Sequence, residues 1–198
     1  MKMTILLQSI SILLLLTSNV MALPVATIER IKGKVIFEDK ALVSGDLVTK
    51  NGLLSTGPKS FVKLVIKEWG NTITLGPNSK MQLDLTKKTT KKKYQFLSGS
   101  CRWRTTGKMK KGKIFTRRVA IGVRGTDYLL KHNDLLNESE IIVFDGEVEM
   151  QNVSNQKVLR VKKGQWGGLG GRFGESLKGP IDLPKKFIGN YEKALLFQ

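Results

Sequence analysis

Cysteine is nearly missing from this 198-residue chain: Cys101 is the only one. No internal disulfide can form, so folding has to rest on burial. In an oxidising compartment a lone cysteine serves either as an apolar core filler or as an intermolecular link. Histidine is equally scarce, with His132 alone. One His and one Cys cannot build a clustered transition-metal site, so no metal and no cofactor is expected. His132, in KHND at a strand end, is expected to be exposed. No nucleophile and orienting acid stand beside it, so no catalytic residue is proposed and the chain is not read as an enzyme. A carboxylate pair formed across strands is the one route to an enzyme left open. Acidic residues are few, 16 against 34 Lys and Arg, for a net charge of +18. Long helical periodicity is absent as well.

The N-terminus departs from the rest. Lys2 precedes an apolar stretch over residues 5–16, and Val20-Met21-Ala22 offers a processing site. The pattern reads as a signal peptide over residues 1–22, cut after Ala22, giving a periplasmic or secreted protein; an uncleaved anchor is the alternative. No later segment is apolar enough to span a bilayer. Residues 23–198 suit a single domain, which buries roughly 70% of its unfolded surface.

What is abundant is period-two alternation. Val62, Leu64 and Ile66 alternate with polar residues, as do Ile73 and Leu75, and Met81, Leu83 and Leu85. Ile141-Ile-Val-Phe144 and Val158-Leu-Arg-Val161 add further strands. Turn signals separate them: Ser44-Gly-Asp46, Lys50-Asn-Gly52, Thr56-Gly-Pro58, Gly76-Pro-Asn78 and Asp145-Gly146. Many short strands with closely spaced turns predict an all-β domain, solenoid-like or sandwich-like. Glu147 and Glu149 belong to an ordinary outer strand surface. From Gly164 the glycines crowd, which reads as loop or flexible tail, and residues 190–197 read as a short terminal helix capped by Asn190. That tail docks either on the domain or on a partner.

The charge is concentrated. Between Leu85 and Thr126 there are fourteen Lys and Arg and no Asp or Glu. Two lysine-rich segments, TKKTTKKK (86–93) and TTGKMKKGK (105–113), flank YQFLSGSCRWR. If Ser98-Gly99 closes a tight hairpin, Tyr94 lies opposite Trp103 and both segments come to one end. The alternative is a chain that kinks at Gly99 and moves to another layer. The candidate anion-binding residues are Lys87, Lys88, Lys91, Lys92, Lys93, Arg102, Arg104, Lys108, Lys110, Lys111, Lys113, Arg117 and Arg118. Such a one-sided field favours anionic partners, the bland alternative being solubility. Residues 107–113 fit most of a phosphate-binding loop, but Ile114 replaces its Ser or Thr and a strand follows.

Read in order, the chain gives Gly33-Lys-Val35, Gly45-Asp46, Leu54-Ser-Thr56, Ile73-Thr-Leu75-Gly-Pro77-Asn-Ser79 and Leu97-Ser-Gly99. Then come Val123-Arg124-Gly125-Thr126-Asp127, Phe144-Asp-Gly146-Glu-Val148 and Gly164-Gln165. This succession, over residues 25–169, resembles the FecR domain family of bacterial envelope proteins. Glu68-Trp69-Gly70 and Cys101 depart from its pattern. The resemblance implies a compact all-β domain over residues 23–169, followed by a Gly-rich linker and tail over 170–198. It implies an envelope module that binds other molecules. The best-known members relay ferric-siderophore signals to a sigma factor through a cytoplasmic segment, a membrane helix and a further periplasmic domain. The sequence shows none of these, so that role is not expected here.

In an envelope setting the basic region is expected to engage an anionic polymer, peptidoglycan or lipopolysaccharide, or an acidic envelope protein. Nucleic acid ranks third, because the basic segments lack interleaved aromatics. Within VRGTD, Val119, Ile121 and Val123 are expected to face inward and Gly125 to redirect the chain. Thr126 and Asp127 are expected to make local backbone hydrogen bonds. Arg124 is expected to reach a carboxylate or carbonyls, or else to read an anionic ligand.

Overall fold

The computed structural model describes residues 25–85, 94–105, 112–193 and 195, without the side chains of Val123 and Arg124. The expected signal peptide lies outside the described residues. Fifteen strands, two single-turn 3-10 helices (Lys67–Trp69 and Gly171–Phe173) and one short α-helix make up the regular structure of the described residues. The first are β1 (Ala26–Lys32), β2 (Val35–Phe37), β3 (Lys40–Ala41), β4 (Leu47–Val48), β5 (Gly52–Thr56), β6 (Phe61–Ile66), β7 (Asn71–Leu75) and β8 (Lys80–Leu83). Three long strands with one short strand among them follow: β9 (Tyr94–Thr105), β10 (Gly112–Phe115), β11 (Val119–Asn133) and β12 (Glu138–Asn152). Last come β13 (Val158–Lys162), β14 (Gln165–Leu169), β15 (Lys178–Asp182) and helix α1 (Lys185–Glu192).

The pairings resolve into two layers. In the first, β3 pairs β2, β2 pairs β5, β5 pairs β8, and β8 pairs the first half of β9. That half runs parallel to β10, which pairs the first half of β11; the second half of β12 and β13 complete the layer. The second layer runs β4, β1, β6, β7, the second half of β9, the second half of β11, the first half of β12, β14 and β15. β9, β11 and β12 therefore each cross between layers, turning at Gly99, Gly125 and Gly146. Each of these glycines has positive φ. The all-β, sandwich-like expectation holds, and the strand alternation becomes physical: Leu64, Ile73, Phe96, Ile121 and Val148 all point into one core between the layers.

The expected tight hairpin at Ser98-Gly99 does not form. β9 is one bent strand, and its halves face each other across the core rather than hydrogen-bonding. Gly99 is required there because a Cβ would stand 2.6 Å from the Ser79 Cα. Tyr94 and Trp103 still meet, ring centroids 4.6 Å apart, as residues of opposite layers.

A repeated corner locks this crossing. The Ser79 hydroxyl accepts from the Ser100 backbone N–H at 3.0 Å, while the Gly76 N–H donates to the Ser100 carbonyl at 2.9 Å. One layer crossing earlier, the Ser60 hydroxyl accepts from the Lys34 N–H at 2.8 Å, while the Gly57 N–H donates to the Lys34 carbonyl at 2.9 Å. The Gly-Pro-x-Ser sequences at 57–60 and 76–79 build the same joint twice. Both serines are buried, and their hydroxyls satisfy backbone groups that a buried corner would otherwise leave unpaired.

The C-terminal part corrects three expectations. Gln165–Leu169 is a strand with a buried second half, not a loop, and β15 extends the sheet beside it. The helix runs Lys185–Glu192 rather than 190–197, with Pro184 and not Asn190 at its N-terminus. It seats on the outer face of the second layer, where Leu129, Ile142 and Phe144 pack with Leu183, Ile188 and Tyr191. No helix of the described residues is long and apolar enough to cross a membrane.

Candidate functional site

Strand direction decides where the lysine-rich segments emerge. β8 ends, and β9 begins, at the end of the sandwich where β9 also finishes and β10 starts. Asn71 ties these flanks together. Its amide donates to the Tyr94 hydroxyl at 3.2 Å, and its Oδ1 accepts from the Thr105 hydroxyl at 3.5 Å. Tyr94 closes the first segment and Thr105 opens the second. The Trp103 indole N–H donates to Thr105 at 3.2 Å, and Trp69 packs edge-on to Tyr94 at 5.5 Å. An aromatic plug thus supports the end from which both segments leave. Lys87, Lys88, Lys91, Lys92, Lys93, Lys108, Lys110 and Lys111 lie outside the described residues. Gly112–Phe115 is a strand antiparallel to β11, so no helix follows the phosphate-loop-like sequence.

The described arginines of the candidate set are engaged by carboxylates. Asp127 receives Arg102 Nε at 2.9 Å and Nη2 at 2.8 Å, and Arg104 Nε at 3.0 Å and Nη2 at 2.9 Å. Arg102 also donates from Nη1 to the Glu192 carbonyl at the end of α1, and its guanidinium stacks 4.7 Å from the Phe144 ring centroid. A cation at a helix C-terminus is favourably placed. Burial pushes the Asp127 carboxyl up, but the hydrogen bonds and charges of Arg102 and Arg104 outweigh it and hold the pKa below the ordinary range. Arg117 reaches Asp134 at 3.4 Å, and Arg118 is paired with Glu175, both at the opposite end of the sandwich. Lys113 is exposed.

Across the outer face of the second layer the register sets up a row. Arg30 faces Lys63, Lys63 faces Thr74, Thr74 faces Arg102, Arg102 faces Leu129, and Leu129 faces Ile142. The row changes from cationic to apolar at Arg102, and α1 covers only the apolar half. The cationic half borders an open groove of about 210 Å³.

The VRGTD residues have structural roles, though not all the expected ones. Val119 and Ile121 are fully buried, and the chain bends between Arg124 and Asp127, where the ladder shifts register. Asp127 makes cross-strand ion pairs instead of the expected local backbone bonds, and the buried Thr126 hydroxyl has no partner among the described residues. Gly146 packs against the Gly125 carbonyl. The Gly164 N–H donates to the Val143 carbonyl at 2.8 Å, and Gln165 bonds the Lys162 N–H at 3.0 Å and Asp182 at 2.9 Å, which pins β15.

His132 corrects another expectation, for it is buried. Its Nδ1 lies 2.9 Å from the Glu138 carbonyl and 3.0 Å from the Ser139 hydroxyl, which in turn meets the Thr116 hydroxyl at 3.0 Å. This network joins the two layers. Cys101 is buried in the core, as the filler reading expects, and burial pushes its thiol far up. No cluster of three or more His, Cys, Asp or Glu suited to a metal occurs among the described residues.

No curated protein matches the sequence. Two crystal structures of anti-sigma factor candidates from Parabacteroides distasonis share the fold, each at 15% identity, with TM-scores of 0.57 and 0.55. The likeness covers 72% of this chain and 65% and 64% of theirs, so the chain spans just under two thirds of their length. The family model described as FecR protein matches residues 53–149, the stretch that holds the layer-crossing strands and the VRGTD bend. Over that stretch, just under half of its length, the chain is similar to the FecR family, as the ordered motifs of its sequence led us to expect.

Proposed function

We propose that this chain is a non-enzymatic binding module of the bacterial envelope, exported by its N-terminal signal peptide. Its basic end engages an anionic envelope polymer, peptidoglycan or lipopolysaccharide. The observation that carries this reading is the Asn71 bridge between Tyr94 and Thr105, which draws the flanks of both lysine-rich segments to one end. Charge held at one end of a rigid body adds up toward a polyanion within a Debye length of about 8 Å. The same charge spread over the surface would not.

The test is co-sedimentation with purified peptidoglycan and with lipopolysaccharide. Changing Lys87, Lys88, Lys91, Lys92 and Lys93 to Gln is expected to abolish pelleting while leaving the melting temperature unchanged. Undiminished pelleting of that variant sinks the reading.

A sensing role is the second reading, favoured by the link that Arg102 makes between its sheet and α1. There, a binding event reaches a protein partner through α1, with Phe187 half exposed on its free side. Truncation after Leu183 would then remove partner capture and leave polymer binding intact.

A further inference from the structure

We infer, on the polymer reading of the basic end, that a pocket at the open edge of the sandwich takes the peptide stem of peptidoglycan. Its volume of about 470 Å³ lies within the roughly 300–1,000 Å³ of small-ligand sites. It opens where the chain passes from β3, an edge of the first layer, to β4, an edge of the second. One hydrogen bond fixes its place beside the basic end. Lys50 is part of its wall, and the next residue, Asn51, accepts the Leu85 N–H through Oδ1 at 2.7 Å. Leu85 directly precedes the first lysine-rich segment.

The pocket is shaped in advance. Phe37, Leu42 and Val48 are buried and give it an apolar floor. Gly52 leaves room for the Phe37 ring, since a Cβ there would stand 2.5 Å from its Cζ. Glu38 holds a left-handed backbone at φ +52°, with its carboxylate on the Leu53 N–H and its own N–H on the Leu53 carbonyl at 2.8 Å. The Asp46 carboxylate is engaged by the Val43 N–H at 2.9 Å. Those two carboxylates therefore shape the wall. Asp39, Lys40 and Lys50 remain on the rim, and none makes an ion pair or side-chain hydrogen bond to another described residue. Two ammoniums and one carboxylate over an apolar floor complement a ligand with two carboxylates, one ammonium and small apolar groups. The stem of diaminopimelate-type peptidoglycan carries that set. Its γ-linked glutamate keeps one carboxylate, its diaminopimelate keeps one carboxylate and one ammonium, and its alanines bring methyls. Lipopolysaccharide presents phosphates, which Asp39 repels.

The experiment is an amide NMR titration of the full chain with the N-acetylated stem tetrapeptide, Ala-γ-D-Glu-diaminopimelate-D-Ala. A second titration uses the all-L peptide Ala-Glu-Lys-Ala. Saturable shifts from the stem peptide are expected at Asp39, Lys40, Leu47, Val48 and Lys50. The double variant Asp39→Asn/Lys50→Gln should bind it about tenfold more weakly, the scale of one lost charge-assisted contact. Neither side chain has a partner in the fold, so the variant should melt with the parent. No saturable shift in the pocket overturns the assignment, and so does a double variant that binds like the parent. Equal affinity for the all-L peptide also overturns it, because the pocket would then be a general peptide site. The two readings fail separately. A silent pocket with pelleting still lost in the five-lysine variant removes only the stem site, whereas undiminished pelleting of that variant removes the polymer reading beneath it.

Discussion

Asn71 and Tyr94 are joined by a 3.2 Å hydrogen bond inside the core, the amide of one donating to the phenol of the other across the two layers. Burial pushes the Tyr94 hydroxyl far above its ordinary pKa, so it stays neutral. Asn71→Leu removes the side-chain donor to that hydroxyl and unfastens Thr105 at the same stroke. A loss of about 1–3 kcal/mol is expected, the desolvation cost of an unpaired buried polar group. Urea denaturation checks the loss. Tyr94→Phe in the Asn71→Leu background should recover part of it, and a double-mutant cycle with no coupling would refute the bond's importance.

The bend glycines separate strain from crowding. At Gly125 φ is +61° and a Cβ would touch nothing within 4 Å, so Gly125→Ala should cost about 1 kcal/mol from backbone conformation alone. At Gly146 φ is +78°, and a Cβ would lie 2.5 Å from the Gly125 carbonyl oxygen and 2.9 Å from Thr126 Cγ2. Gly146→Ala should therefore be clearly the more damaging of the two. Equal denaturation midpoints would contradict this account of the crossing.

Asp127→Asn tests the paired arginines. It strips the countercharge from Arg102, whose side chain is only 5% exposed, and breaking a buried pair from one side costs about 3–5 kcal/mol. The same carboxyl makes a pH prediction. Its folded pKa is depressed, so its contribution is fully present above the unfolded value near 3.9 and is lost as pH falls below it. Acid titration of stability should show a steep drop below about pH 4 that is missing in Asp127→Asn.

His132 acts in a higher window. Burial lowers its pKa, outweighing the Glu138 carbonyl and Asp134, which raise it, while Arg117 lowers it further. The folded state thus disfavours the charged ring, and stability should decline as pH falls from about 6.5, where the unfolded chain begins to take up the proton. His132→Gln should flatten stability between pH 7 and pH 5. A slope in that range identical to the parent's would remove His132 as its source.

Much of the fold was legible because alternation is a local property. Residues 62–66, 73–75 and 141–144 point where their pattern says, and Gly57-Pro58 and Gly76-Pro77 mark real corners. What escaped was long-range. A positive-φ glycine at position 99 suits a hairpin and a layer crossing equally, and the deciding partner, Ser79, lies twenty residues upstream. His132 looked solvated because its sequence neighbours are charged, whereas Ser139 reaches it from the facing strand. The glycines after 164 looked loose. In fact a Cβ on Gly167 would stand 2.8 Å from Val161, so close approach explains that glycine within a strand. Pro184 was the better helix-start signal than Asn190. Arg102 and Arg104 looked available because Asp127 enters from another strand, with nothing in local sequence to announce it.

The layer crossings constrain how this sequence can change length. A residue inserted inside β9, β11 or β12 would reverse every side chain beyond it, on both layers, since the same strand continues around the corner. Insertions at 86–93 or 106–111 meet no such penalty, because each segment begins and ends at the same rim. The two lysine-rich segments can therefore change length or charge while the strands on either side of them keep their parity.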